Sequence, residues 1–202
     1  MFAIGSPGSG KSNSIRYLVK SLYNAKKFDY CSVFSPTYFS GDGSHNFLDK
    51  KFIHPRYTEE KMIKILHHQK KRVKEGKKSK LLLIFDDCIG SINFNSKIMS
   101  KLMINRRHFN ISLIFSAQYI KRLSPLFRDC VDYVIMFKLN SGSTIKQLTD
   151  MWLHDINTRE INKFINYFTD IKYSFCFIDV SKSGVNKYKK MICPKVGEFK
   201  IE

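Results

Sequence analysis

A mostly parallel α/β sheet with helices on both faces is the fold this sequence predicts, and three observations carry the prediction. Apolar runs of strand length alternate with segments whose apolar residues recur every three or four positions. The first run, Met1 to Ile4, feeds directly into a glycine-rich loop, and a helical pattern opens behind it. A later run, Leu81 to Phe85, is apolar throughout, as in a strand buried on both faces, and stops at two aspartates.

The elements follow in order. Behind the loop, Ile15, Leu18, Val19, Leu22 and Tyr23 form one apolar helix face. Asp29 to Phe34 reads as a second strand, closed by Ser35-Pro36. Residues 36–57 carry Pro36, Gly41, Gly43 and Pro55 and read as loop. Thr58 opens a helix with Met62, Ile65, Leu66, Gln69 and Val73 on one face, ending near Gly76. After the strand Leu81 to Phe85 come a short helix around Ser96 to Ile104 and a strand from Ile111 to Ala117. A short element spans Leu123 to Arg128, and Val131 to Phe137 is the next strand. Helices are expected near Ser143 to Leu153 and from Thr158 to Phe168, the second with Asn157 and Glu160 spaced as a capping box. Tyr173 to Val180 is the last strand, and residues 181–202 read as a basic, weakly patterned C-terminal tail. With no repeat or linker, one domain over residues 1–202 is expected.

A chain of 202 residues with 43% hydrophobic and 14% aromatic content can bury a core, which excludes disorder. No stretch approaches the roughly 18 uninterrupted apolar residues of a membrane span. Five scattered cysteines without a CxxC pair, and six histidines without HExxH spacing, argue against zinc. Reduced thiols and the lack of a signal-peptide pattern point to a protein made and kept inside a cell. The net charge is +18, from 35 Lys and Arg against 17 Asp and Glu. A polyanion would relieve that repulsion, nucleic acid first and an acidic membrane surface second. The lysine bias of an AT-rich genome would supply part of the same excess.

Gly5-Ser6-Pro7-Gly8-Ser9-Gly10-Lys11-Ser12 fits GxxxxGKS in full, between a strand and a helix. Its glycines let backbone N–H groups turn toward a β-phosphate with no Cβ in the way. Lys11 is placed to reach the β- and γ-phosphates of ATP and the Ser12 hydroxyl to ligate Mg2+, while the helix N-terminus adds partial positive charge. These residues predict a P-loop NTPase.

The strand Leu81 to Phe85 delivers Asp86 and Asp87. Buried carboxylates call for a cation, so Asp86 is the candidate Walker B residue, holding magnesium through its water shell. Asp87 stands where many ATPases place a glutamate that orients the attacking water, and is one methylene shorter. Gln118, just past the strand Ile111 to Phe115, is the candidate sensor, since its amide can both donate and accept. This reading expects an additional strand between the P-loop strand and the Walker B strand. Asp87-Cys88-Ile89-Gly90 also matches DxxG and Ser116-Ala117-Gln118 echoes a GTPase loop, but no NKxD-type segment accompanies them. A GTPase or another nucleotide-handling enzyme that does not touch DNA is therefore the second reading. A noncatalytic nucleotide-gated assembly protein, with Asp87 too short to work, is the third.

The set GSPGSGKS, LLLIFDD, Asn105 to Ser112 (NRRHFNIS), FSAQY and Leu123 to Arg128 (LSPLFR) resembles the genome-packaging ATPases of poxviruses and other large nucleocytoplasmic DNA viruses, within the FtsK/HerA translocase superfamily. The resemblance covers roughly residues 1–140, and the RRHFNIS-to-SAQY segment is its specific part. It implies an oligomeric ring or assembly that hydrolyses ATP to drive double-stranded DNA into a capsid, with a capsid or portal protein as a candidate further partner; the apolar runs, too short for a span, separately argue against a membrane. It places the protein in the cytoplasmic viral factory of an infected cell or with the virion. Two departures stand out: only four residues precede the loop, as a trimmed N-terminus would leave it, and no second acidic cluster marks a nuclease domain.

A ring motor also needs an arginine delivered from a neighbouring subunit, for which Arg128 is the first candidate and Arg106 and Arg107 are the reserves. Lys61, Lys64, Lys70, Lys71, Arg72, Lys74, Lys77, Lys78 and Lys80 form a candidate DNA-contacting cluster, with Lys187, Tyr188, Lys189 and Lys190 a smaller one. The alternative for both is an ordinary solvated face.

Overall fold

The computed structural model describes residues 1–41, 43–77, 79–120, 123–195 and 197–201. An eight-stranded sheet runs through its centre. The strands are β1 (Phe2–Ile4), β2 (Tyr30–Phe34), β3 (Ile53–His54), β4 (Leu81–Asp86), β5 (Ile111–Ala117), β6 (Tyr133–Met136), β7 (Ser174–Asp179) and β8 (Tyr188–Ile192). Their order is β3-β2-β4-β5-β1-β6-β7-β8, with β1 to β6 parallel and β7 and β8 antiparallel. β5 therefore stands between the loop-bearing β1 and the acidic β4, the additional strand that the sequence predicts.

The helices are α1 (Lys11–Asn24), α2 (Glu59–Lys74), α3 (Lys97–Asn105), α4 (Pro125–Asp129), α5 (Gly142–Trp152) and α6 (Ile161–Thr169). Hydroxyl side chains cap four of them: Thr58, Ser96, Ser124 and Ser141 each accept from a backbone N–H in the first turn. One sheet face packs Leu83, Phe85 and Phe115 against Met62 and Leu66 of α2, Leu102 of α3, Trp152 of α5 and Ile165 of α6. The other packs Ala3, Leu82 and Ile84 against Ile15 and Val19 of α1, together with Phe47 and Leu48. Alternation sends Leu82 and Ile84 one way and Leu83 and Phe85 the other, which is why β4 is apolar at every position. Within this packing Gln69 is 2% exposed, yet its amide donates to the Ser79 and Phe109 carbonyls at 2.8 Å each. Among the described residues no helix is long and apolar enough to cross a membrane.

A row of four phenylalanines crosses the central strands in register: Phe34, Phe85, Phe115 and Phe2. Phe34 stacks on Phe85 at 5.3 Å and Phe85 on Phe115 at 4.5 Å, with ring planes within 11°. Aromatic pairs of this kind contribute about 0.5–1.5 kcal/mol each beyond their buried area. The row lies one residue before Asp86 and Ser116, and so fixes the strand ends that carry them.

Three expectations change. Residues 36–57 are not loop throughout: Ile53 and His54 add the parallel edge strand β3 to β2. Two residues are too few to show an alternating pattern. The Asn157–Glu160 capping box does not form; the Asn157 side chain accepts from Arg159 N at 2.9 Å in a local turn, and α6 starts at Ile161 without a side-chain cap. The segment after Ser181 is more than a tail, because Tyr188–Ile192 pairs antiparallel with β7. Its lysines hide the strand pattern, since at this sheet border several of its side chains face solvent.

Candidate active site

The site lies along the C-terminal ends of the parallel strands, where the chain leaves β1. Backbone bonds tie the loop to both neighbouring strands: Gly5 N donates to Ala117 O at 3.2 Å and Ser6 N to Lys138 O at 2.9 Å. Asn140 N donates to the Ser6 hydroxyl at 3.0 Å. A Cβ on Gly5 would fall 2.6 Å from Phe137 Cβ. Gly8 and Gly10 have φ of 71° and 102°, in the left-handed region open to glycine. Gly10 caps α1 without a side-chain hydrogen bond, leaving the helix N-terminus able to meet an anion. Pro7 and Gly8 are exposed at the crest, Ser9 is half-buried, and Ser12 is exposed in the first turn of α1.

Lys11 is 6% exposed, and its ammonium donates to Gly5 O at 2.8 Å and Ser6 O at 3.1 Å. Burial lowers its pKa, partly offset by Asp87 and Asp86, so the lysine already feels both carboxylates across the site. Asp86 closes β4 and is 2% exposed. Its Oδ2 lies 2.9 Å from Nε2 of His45, a residue to which the sequence pattern assigns no role. Burial alone would raise the Asp86 pKa; the His45 hydrogen bond, with Ser116 and Lys11 in support, outweighs it and holds the carboxyl below its ordinary value. Asp86 is therefore an ionised acceptor.

Asp87 takes φ of 49°, which turns the chain sharply off the end of β4 while its N–H donates to Ser116 O at 3.1 Å. That turn brings its carboxylate to Gln118, whose Nε2 donates to Asp87 Oδ2 at 2.9 Å. Asp87, Gln118, Ala117, Ile89 and Tyr119 line a cavity of about 100 Å³. The structure thus brings together the glycine loop, Lys11, Asp86, Asp87 and Gln118. Oxygen donors such as the Ser12 hydroxyl and the Asp86 carboxylate suit a magnesium ion that keeps most of its waters. Among the described residues there is no cluster of three His, Cys, Asp or Glu that could hold a metal directly.

All three arginines lie toward the start of β6, since Arg128 O accepts from Val131 N and Arg106 holds the Cys130 carbonyl. Arg128 sits half-buried in the last turn of α4, on the descent from Ala117 toward the start of β6. Arg106 and Arg107, the reserves, lie before β5, where both bind Asp132, at 2.7 and 2.8 Å. Arg106 also donates to Cys130 O at 2.8 Å, so a structural ion pair occupies these two. Of the lysine cluster, Lys78 lies outside the described residues. Arg72 is engaged within the fold, donating to Ser79 Oγ at 3.1 Å and Tyr30 OH at 2.7 Å. Lys71 and Lys77 flank Glu75, and Lys70 lies over the Phe109 ring. This end of α2 precedes β4, and so belongs to the sheet edge away from the phosphate loop.

No sequence signal could have singled out His45, a lone histidine between glycines and asparagines. Its place on Asp86 exists only once the segment between β2 and β3 folds back over β4.

Comparison with known proteins gives a consistent picture. The chain is 27% identical to uncharacterized protein 015R of Frog virus 3 over 98% of its length and 69% of that protein. It is 31% identical to uncharacterized protein 075L of Invertebrate iridescent virus 6, over 88% and 69%. Among solved structures, the genome packaging NTPase B204 of Sulfolobus turreted icosahedral virus 2, in complex with ATP-gammaS, superposes with a TM-score of 0.69 at 18% identity, covering 96% of both chains. EssC ATPases 2 and 3 of Geobacillus thermodenitrificans give 0.62 at 15% identity, covering 98% of this chain and 40% of that one. These likenesses show a shared fold. The model of the poxvirus A32 protein family matches residues 1–198, and the chain belongs to that family.

Proposed function

We propose that this chain is an ATP-hydrolysing motor that translocates double-stranded DNA during viral genome packaging, working as a ring of identical copies. The observation that carries the reading is the meeting of Lys11, Asp86 and the Asp87–Gln118 pair at one sheet edge, with β5 between the two motif-bearing strands. Support comes from family membership and from the likeness to B204, a genome packaging NTPase whose structures include nucleotide complexes.

In this mechanism the loop N–H groups and the α1 N-terminus bind the ATP phosphates. Lys11 turns from the Gly5 and Ser6 carbonyls to the β- and γ-phosphates. Ser12 and Asp86 would hold magnesium, which when bound neutralises charge on the phosphate oxygens. Gln118 orients a water and Asp87 accepts its proton as the water oxygen attacks the γ-phosphorus and ADP leaves. Arg128 of a neighbouring copy is proposed to steady the charge that develops. The excess of basic side chains would track DNA phosphates without reading sequence.

An ATPase assay with and without duplex DNA, beside a GTP control, tests this. Duplex-stimulated ATP turnover is expected. Turnover with GTP alone would replace the reading by the GTPase alternative, and ATP turnover indifferent to DNA would remove the translocation claim.

A further inference from the structure

His45 is 1% exposed, although it comes from a polar, glycine-containing stretch. Burying an imidazole is unfavourable unless its ring nitrogens find partners. Nε2 has one in Asp86 Oδ2, 2.9 Å away; Nδ1 is equally buried and has none among the described residues. Because the carboxylate can only accept, the proton of this contact sits on Nε2. In the neutral ring that tautomer carries its lone pair on Nδ1, a buried acceptor with no partner among the described residues.

The placement of His45 is built from distant parts of the chain. Its ring packs edge-on against Phe47 at 5.8 Å. Phe47 in turn stacks on Phe199, with centroids 4.9 Å apart and planes 8° apart, and Ile201 N donates to Phe47 O at 2.8 Å. Phe199 arrives there because the chain after β8 crosses α1, where Asn13 Nδ2 donates to Pro194 O at 3.2 Å. The C-terminal segment thus clamps the backbone next to His45 from outside.

We infer that His45 is a positioning residue for the metal ion: Nε2–H fixes the rotamer of Asp86, and Nδ1 accepts a hydrogen bond from a water of the magnesium shell. The inference rests on the nucleotide-site reading above. Outer partners of this kind change metal affinity by about ten- to a hundredfold when removed. His45 makes no claim on the phosphates, so nucleotide affinity without metal is untouched.

The test titrates Mn2+ into the complex of the protein with ATP-gammaS and follows it by electron paramagnetic resonance. A fluorescent ATP analogue in EDTA gives the metal-free affinity. His45→Ala should raise the half-saturating Mn2+ concentration about tenfold or more and leave the EDTA affinity unchanged. His45→Gln, whose amide can replace Nε2–H, should recover part of the loss. Unchanged or tighter Mn2+ binding in His45→Ala overturns the inference, the tighter result marking His45 as a competitor of the metal. Parallel loss of EDTA affinity in both variants also overturns it, as a purely structural role.

Nitrogen-15 spectra of the wild-type imidazole decide the matter if His45→Ala does not fold. The Nδ1 resonance should move when Mg2+ joins the ATP-gammaS complex, and a resonance that stays fixed overturns the inference. Wild-type protein that binds no nucleotide in EDTA sinks the nucleotide-site reading and this inference with it. Nucleotide binding with metal affinity indifferent to His45 sinks this inference alone.

Discussion

Gln118 donates to Asp87 across 2.9 Å, joining the residue just past β5 to the residue just past β4. Two strands that are neighbours in the sheet thereby present one polar unit at the edge where the phosphate loop opens. The amide holds the carboxylate rotamer, and the unit can bind a water from two sides.

Asp87→Asn should retain ATP and Mg2+ binding and lower hydrolysis by about a hundredfold or more, because the base is lost while Asp86 is untouched. Gln118→Ala should lower hydrolysis less, since Asp87 keeps its charge. Single-turnover phosphate release beside equilibrium binding of an ATP analogue checks both. Undiminished turnover in Asp87→Asn would assign the water to another group.

Lys11→Ala should remove both hydrolysis and most nucleotide affinity, since a charge-assisted phosphate contact and transition-state support disappear together. The variant gives up the ammonium's bonds to the Gly5 and Ser6 carbonyls, the first of them buried, so its fold is checked beside its binding. Circular dichroism and analogue binding separate the two effects.

Gly10→Ala should be destabilising twice over. Its φ of 102° is strained for any Cβ, and that Cβ would fall 2.7 Å from Tyr173 Cδ1. A loss of about 1–3 kcal/mol is expected from the backbone alone. Adding Tyr173→Ala should relieve the clash and not the strain, so urea denaturation should show partial recovery. Full recovery would place the whole penalty on Tyr173.

Arg106→Ala and Arg128→Ala should differ in kind. Arg106 holds Asp132 and Cys130 O from a nearly buried position, so its removal should lower stability by about 1.5–3 kcal/mol. Burial raises the Asp132 pKa, but Arg106 and Arg107 outweigh it and keep the carboxyl below its ordinary value. A depressed folded-state pKa means that the pair stabilises above the unfolded pKa near about 4 and fades as pH falls through the folded value. Asp132→Asn should therefore flatten the acid limb of a stability-versus-pH curve. Arg128→Ala should instead bind ATP and hydrolyse it poorly, and recover activity when mixed with Lys11→Ala subunits. A co-assembled mixture as inactive as its parts would rule out Arg128 as the residue supplied in trans.

Lys71→Gln with Lys74→Gln should weaken duplex binding evenly across sequences. The slope of log affinity against log salt should fall by about 0.9 for each DNA phosphate that the variant no longer neutralises. Arg72→Gln belongs apart, since its bonds to Tyr30 and Ser79 make it a stability variant first. An unchanged slope would return the end of α2 to a solvated face.

Legible in consecutive residues were the glycine pattern of the phosphate loop, the alternation of strands with helices, the span of β5 and the place of Asp86 at the end of β4. These are local facts: a glycine pattern, an unbroken apolar run, a polar residue closing a strand. Alternation and helical period are written in consecutive residues because burial is decided by the face on which each side chain lies. The rest came from tertiary packing. It set β3 and β8 at the sheet borders, where short length or solvated lysines mute any pattern. It withdrew Arg106 and Arg107 to Asp132, and it laid His45 on Asp86 under a clamp formed by Phe199 and Ile201. Each of these pairings joins residues far apart in the chain, and their partnership comes from packing rather than from spacing.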